Sequence, residues 1–367
     1  MSYHNRKVLF SQWVSLRQRP LITYVTSIRP NLSVNMSGDS VSKIINVINT
    51  IPSDYKDVDF MIISNGGDPI TSLRIVSILR ERFQHLTVVV PYVAYSAATI
   101  LALGADDILM HPFSNLGPVD PQLTILKSNI IGQNTDIRFS SEDIRNYFDF
   151  LKDDVGITDQ QYLSSAIANL SAEVGAIPIG SAKRSQQLSL SLSKKMLATH
   201  IPNENAAIDI AQKLNSSFYH HGYAVSRKEA KEIGLPIIEP SAEEEKLMWD
   251  IWQDYSIEMK SDKEFNITNE LMQDPQASQT LNTVPILNLP ANTPTDLANQ
   301  LIANAAAQIS ITTRSAIEFS VLLATIECKN TAYEIKNSFS VVFWRNADMT
   351  LGINATPFSD GWKEVIS

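Results

Sequence analysis

The sequence predicts an α/β fold built on a parallel sheet, and three observations lead there. Short apolar runs alternate with helical stretches between residues 20 and 112. The apolar runs are continuous rather than alternating, the pattern of strands buried on both faces. Each strand–helix junction is punctuated by Gly, Pro or Ser, and a strand–helix–strand order implies parallel pairing through right-handed crossovers.

Taken in order, residues 7–17 repeat helically and "PLITYVTS" (20–27) reads as a strand. "GDSVSKIINVINTI" (38–51) reads as a helix with Asp39 or Ser40 at its N-cap. "VDFMIISNGG" (58–67) is a buried strand, and "PITSLRIVSILRERF" (69–83) a helix with Pro69 in its first turn. That helix is expected to bury Ile70, Leu73, Val76 and Leu79. "LTVVVPYVA" (86–94), "SAATILALGA" (96–105) and "DDILMHP" (106–112) continue as strand, helix and strand. Residues 141–240 are mostly helical and close with "SRKEAKEIGLPII", a helix stopped by Gly234. "AEEEKLMWDIWQDYSIEMK" is an amphipathic helix whose acidic start suits the helix dipole. Residues 266–296 carry Pro275, Pro285, Pro290 and Pro294 and read as an irregular arm or linker. "SAIEFSVLLATIECK" and "TAYEIKNSFSVVFWRN" read as strands joined at Lys329–Asn330. The expected organisation is a first domain over 1–240, a helix and Pro-rich arm over 241–300, and a small β-containing appendage over 301–367.

Composition narrows the function. Acidic residues outnumber basic ones by 39 to 30, a formal charge of −9, which argues against a broad nucleic-acid surface. Cys328 is the single cysteine, so an intrachain disulfide and a cysteine metal site are both excluded. No apolar stretch of signal-peptide length precedes Arg17, Arg19 and Pro20, and none reaches the roughly 18 residues of a membrane span. A soluble, cytoplasmic protein is the expectation. Dinucleotide and P-loop glycine patterns are missing, which argues against nucleotide use.

Gly66 and Gly67 in "ISNGGDPITS" fall where a parallel strand ends, the place where open α/β sheets bind ligands. The plain reading is a tight turn. The chemical reading is a backbone N–H offered to a developing oxyanion. Ser96 follows the next strand, flanked by Ala94, Ala97 and Ala98, which leave its hydroxyl accessible.

"SNGGDP", "PYVAYSAAT", "GADDILMHPFSNLGPVDPQ" and "HGYAVSRKEAKEIGL", in this order and spacing, resemble the Clp-protease/signal-peptide-peptidase superfamily. Within it they resemble the serine dehydrogenase proteinases, the SDH-type Clp-fold serine proteinases, over about residues 15–240. The resemblance implies a ClpP/crotonase-like fold of repeated ββα turns, extended here by a C-terminal helical and β-strand appendage. It implies a nucleophile at Ser96, oxyanion-hole amides from Gly67 and Ala97, no cofactor, and assembly into a homo-oligomer. Peptides or unfolded proteins are the implied substrates.

A serine needs a base. Carried over from the Clp peptidases, the histidine position falls near Val119 or Asp120, and the aspartate position at His221 or Gly222. A permuted triad of Ser96, His221 and Asp120 is one reading, since triads are defined by geometry rather than chain order. The plain reading of "FYHHGY" is a polar turn, in which His220 is an equal candidate to face inward. A Ser-Lys dyad, as in the signal peptide peptidases, would draw on Lys183, with Lys152 beside Asp153 and Asp154 as the weaker candidate. His111 reads as a packed histidine, Asp106–Asp107 as a strand-edge cap, and Trp249 and Trp252 as packing residues. Two further readings stay open: a crotonase-like acyl-CoA enzyme, and a catalytically degenerate oligomeric scaffold.

Overall fold

The computed structural model describes residues 3–128, 134–216, 222–282, 288–308, 316–345 and 350–365. Helix α1 (Tyr3–Arg17) precedes β1 (Leu21–Thr26), α2 (Ser40–Asn49), β2 (Asp57–Ile63), α3 (Pro69–Arg82) and β3 (His85–Val90). Then come β4 (Val93–Ala94), α4 (Ala97–Ala102), β5 (Asp107–Met110) and β6 (Asn115–Leu116). An antiparallel pair, β7 (Gln122–Ser128) and β8 (Asn134–Ser140), leads into α5 (Ser141–Asp149) and a π-helical turn, Phe150–Asp154. The helices α6 (Gln160–Val174), α7 (Ala176–Leu197) and α8 (Glu204–Ser216) follow, then β9 (Val225–Ser226), α9 (Arg227–Ile233), β10 (Ile237–Ile238) and α10 (Ala242–Met259).

The main sheet runs β10-β5-β3-β2-β1, all parallel, as the strand–helix alternation predicts. Its side chains obey the period of two. Ile22, Tyr24, Phe60, Ile62, Val88 and Ile108 face the core shared with α2, α3, α4, α7 and α8. Leu21, Val25, Met61, Ile63, Val89 and Leu109 face the layer of α1 and α10. A smaller sheet, β4-β6-β9, is tied to the end of β2 by the single bridge Ser64–Ala94.

The buried face of α3 is rotated slightly from the expected one: Val76 and Leu79 are buried and Leu73 packs half-buried against the same core, but Ile70 is exposed and Thr71, Ser72 and Ile75 are inside. The rotation lets Ser72 Oγ donate to Ala97 O at 2.6 Å, satisfying a buried carbonyl at the start of α4.

The Pro-rich arm is partly helical, with α11 (Ile267–Leu271) and α12 (Pro275–Asn282). Asn266 caps α11 by accepting from the Thr268 and Asn269 amides, and Asp274 accepts from the Ala277 amide beside Pro275. Pro275 therefore starts a helix rather than breaking one. After α13 (Thr295–Gln308), the strands β11 (Ile317–Glu327), β12 (Ala332–Arg345), β13 (Leu351–Phe358) and β14 (Trp362–Glu364) extend the main sheet. The join is antiparallel, with Thr26 opposite Ala324 and Thr23 opposite Glu327.

Behind this join lies a buried ion cluster. Arg6 grips Glu327 with two bonds, Nε–Oε2 at 2.9 Å and Nη2–Oε1 at 2.7 Å, and also binds Asp254 and Glu258. Tyr255 OH donates to Glu327 Oε2 at 2.9 Å, and the guanidinium carbon lies 4.1 Å from the Tyr255 ring centre. Arg6→Met strands several carboxylates out of water. The expected loss is about 3–5 kcal/mol in urea unfolding.

A second pairing fixes the arm. Burial raises the Glu270 pKa, but hydrogen bonds from Lys260 and Arg29 outweigh it and hold the carboxyl below its ordinary value. A depressed folded-state pKa adds stability above the unfolded value of about 4.3, and that stability is lost as pH falls through the folded value. The stability gap between wild type and Arg29→Gln, followed by denaturant titration, should therefore be widest near neutrality. It should close as the pH drops below the folded-state pKa.

Candidate active site

The turn after β2 is Ser64-Asn65-Gly66-Gly67, closed by Asp68, whose carboxylate caps α3 by accepting from the Ile70 amide at 3.0 Å. Gly66 has φ +104° and Gly67 φ +150°, values that side chains resist. Space forbids side chains as well. A Cβ on Gly67 would lie 2.4 Å from Met36 N, and one on Gly66 2.9 Å from Ser96 Cβ. Met36 clamps the turn, its N–H donating to Gly66 O at 2.8 Å and its carbonyl accepting from the Asp68 amide at 2.9 Å.

Ser96 sits at the corner between β4 and α4 with φ +51° and ψ −115°, a strained conformation for a non-glycine residue. A sharp strand-to-helix corner of this kind projects a serine hydroxyl away from the backbone. Among the described residues, neither the Gly67 nor the Ala97 amide donates a hydrogen bond. Two unused N–H groups flanking a hydroxyl are the donor set that acyl transfer requires.

Ser96 and Gly67 open on a cavity of about 400 Å³. Asn65, Asp68, Ile100, Val119, Pro121 and Gln122 line it, with Ser185, Leu188 and Ser189 of α7 opposite. Its walls are fixed by buried hydroxyls that sequence reading did not single out. Thr99 Oγ1 lies 2.8 Å from Ala94 O and 2.9 Å from Gly117 O, and accepts from the Gly117 amide at 3.1 Å. It thus ties the strand before Ser96 to the segment that leads to Asp120. Ser189 Oγ donates to Val119 O, and the Val119 amide donates to Leu214 O at 3.0 Å.

Asp120 is buried between two cavity-lining residues and accepts from Gln122 Nε2 at 3.2 Å. His221 and its neighbour His220 lie outside the described residues. Lys183 is exposed on α7, where its ammonium donates to Gln186 Oε1 at 3.0 Å, and Lys152 is exposed on the π-helical turn. Neither ammonium is buried, and neither lysine lines the cavity that Ser96 faces. His111 is buried, its ring stacked 5.1 Å from Trp249, and burial lowers its pKa. Trp252 stacks on Tyr92 at 4.6 Å. Asp106 pairs with Arg80 and accepts from the Leu86 amide, and Asp107 pairs with His85, so both finish strand edges. No helix among the described residues is long and apolar enough to cross a membrane.

Residues 32–146 match the family model of the ClpP-like SDH-type serine proteinases. Two uncharacterized proteins of Methanocaldococcus jannaschii are similar to this chain. MJ0137 is 34% identical over 110 residues, 28% of this chain and 38% of that protein. MJ1495 is 36% identical over 81 residues, 22% of this chain and 27% of that protein. The matched region thus spans well under half the length of either relative. Among solved structures, two mutants of the 1510-N membrane-bound stomatin-specific protease align with this chain. One is 15% identical over 60% of this chain and 81% of that chain, with a TM-score of 0.36. The other, in complex with a substrate peptide, is 16% identical over 60% and 77%, with a TM-score of 0.32. These scores are low, and the family match over residues 32–146 is the finding that bears on the site.

Gly67→Ala tests the close packing directly. Its Cβ meets backbone rather than a yielding side chain, so the variant should lose about 1–3 kcal/mol in a chemical denaturation curve with unchanged slope.

Proposed function

We propose that this chain, whose residues 32–146 match the SDH-type ClpP-like serine proteinases, is a serine peptidase acting through an acyl-enzyme on Ser96. The observation that carries the reading is the meeting of a strained, cavity-facing Ser96 with two amides that have no other use in the described fold.

The mechanism follows from that geometry. A peptide carbonyl seated in the cavity places its oxygen toward the Gly67 and Ala97 amides, and the Ser96 hydroxyl attacks its carbon. Negative charge then builds on the oxygen, where the prepositioned amides stabilise it more strongly than they stabilise the ground-state carbonyl. The base that takes the Ser96 hydroxyl proton returns it to the leaving nitrogen. Collapse thus expels a neutral amine and leaves an ester on Ser96, which water then hydrolyses with the same base taking its proton.

For the base we favour His221 with Asp120. Asp120 is buried between Val119 and Pro121, two residues that line the cavity, whereas Lys183 and Lys152 are exposed. Among the described residues that line the cavity, Asp68 at the turn carries the one charge, which suits an apolar or small residue beside the scissile bond. Short peptides or unfolded segments fit this opening, and assembly into a homo-oligomer is part of the proposal.

Labelling of the purified protein with a fluorophosphonate tests it. Wild type should be labelled and Ser96→Ala should not. His221→Ala should slow labelling by about 10²-fold or more if it supplies the base. A wild type that stays unlabelled would sink the peptidase reading and favour the scaffold.

A further inference from the structure

We propose that Ser64 is a positioning residue for the oxyanion hole, its buried hydroxyl holding the Gly66–Gly67 peptide in the orientation that turns the Gly67 N–H to the cavity. The inference rests on the serine-peptidase reading and deepens it. Two consecutive glycines leave their shared peptide with little steric resistance to rotation. Rotated by half a turn, that peptide would present a carbonyl oxygen where a donor is needed, repelling the oxyanion instead of binding it. Something must therefore fix it.

The Ser64 hydroxyl is fully buried and accepts from the Gly66 N–H at 3.0 Å. Thr26 Oγ1 donates to it at 2.8 Å, which leaves its own proton directed at Gly66 O, 3.4 Å away. The same Gly66 oxygen receives the Met36 N–H at 2.8 Å. Across a trans peptide the carbonyl and the following N–H point in opposite directions. Anchoring Gly66 O against Met36 and Ser64 thus aims the Gly67 N–H the other way, into the cavity that Gly67 and Ser96 share. The backbone of Ser64 completes the arrangement: its N–H donates to Val93 O at 3.1 Å, and its carbonyl accepts from the Tyr95 N–H at 2.9 Å. One residue therefore sets the donor turn and the strand that carries the nucleophile in a fixed relation.

The test is fluorophosphonate inactivation of the full chain, resolved into a maximal rate and a half-saturating concentration. Ser64→Ala should lower the maximal rate by at least about ten-fold, the scale of a disturbed oxyanion donor. The half-saturating concentration should stay within about two-fold and the labelled end point should stay complete, because binding and the folded fraction do not depend on this peptide's orientation. Thr26→Val keeps the shape but removes the donor to Ser64, and should slow the same step several-fold, whereas Thr26→Ser should restore it. If Ser64→Ala fails to fold, the two Thr26 variants decide. Wild-type rates in Ser64→Ala and Thr26→Val would overturn the proposal, as would a reduced end point reached at the wild-type rate. An unlabelled wild type would instead refute the peptidase reading, and this inference with it.

Discussion

The close approach of three backbone segments at Gly66 and Gly67 is the constraint on which the rest of the site depends. The loop residue Met36, the turn after β2 and the Ser96 corner meet at distances that leave no room for a Cβ. Because Met36 takes up the Gly66 carbonyl and the Asp68 amide, the turn has its own local hydrogen bonding, and the Gly67 N–H is left over. The spare donor is thus a product of the packing, produced by satisfying everything around it.

Stability and arrangement come from different interactions. The two apolar layers on either side of the sheet supply the favourable free energy, at about 1.5–3 kcal/mol for each large side chain fully buried. The cluster around Arg6 adds little net energy, since removing its charges from water offsets most of the attraction between them. Its effect is directional: Arg6 of α1, Asp254 of α10 and Glu327 of β11 have to converge for any of them to be tolerated inside. Trp13 and Arg17 act in the same way on Asp59, which is fully buried in β2.

Much of this was legible in the sequence because local rules dominate it. Continuous apolar runs separated by helical periods gave the parallel strands, and small residues around Ser96 marked the corner. Periodicity places Leu73, Val76 and Leu79 of α3 on the core but also Ile70, which is exposed, because it does not reveal that the Ser72 hydroxyl is needed inside. The arm after residue 266 looked irregular because Pro275 reads as a breaker until Asp274 is seen to cap a helix behind it. Ser64 and Thr99 gave no signal at all. A buried serine or threonine looks like any other until the carbonyls and amides it satisfies are placed around it. The pairing of β1 with β11 was equally hidden, since no period connects positions so far apart.

That last pairing joins strands made far apart in time. A ribosome delivers Thr26 roughly 300 residues before its partner Ala324, a delay of roughly 15–60 s at ordinary elongation rates. Throughout that interval β1 has an open edge, the kind of surface that captures stray extended chain, and Arg6 lacks the carboxylate of Glu327. A nascent chain can therefore contain every described residue of the cavity and still lack the strand that pairs with β1. The edge of β1 is covered, and Arg6 gains its buried carboxylate, only when β11 has emerged.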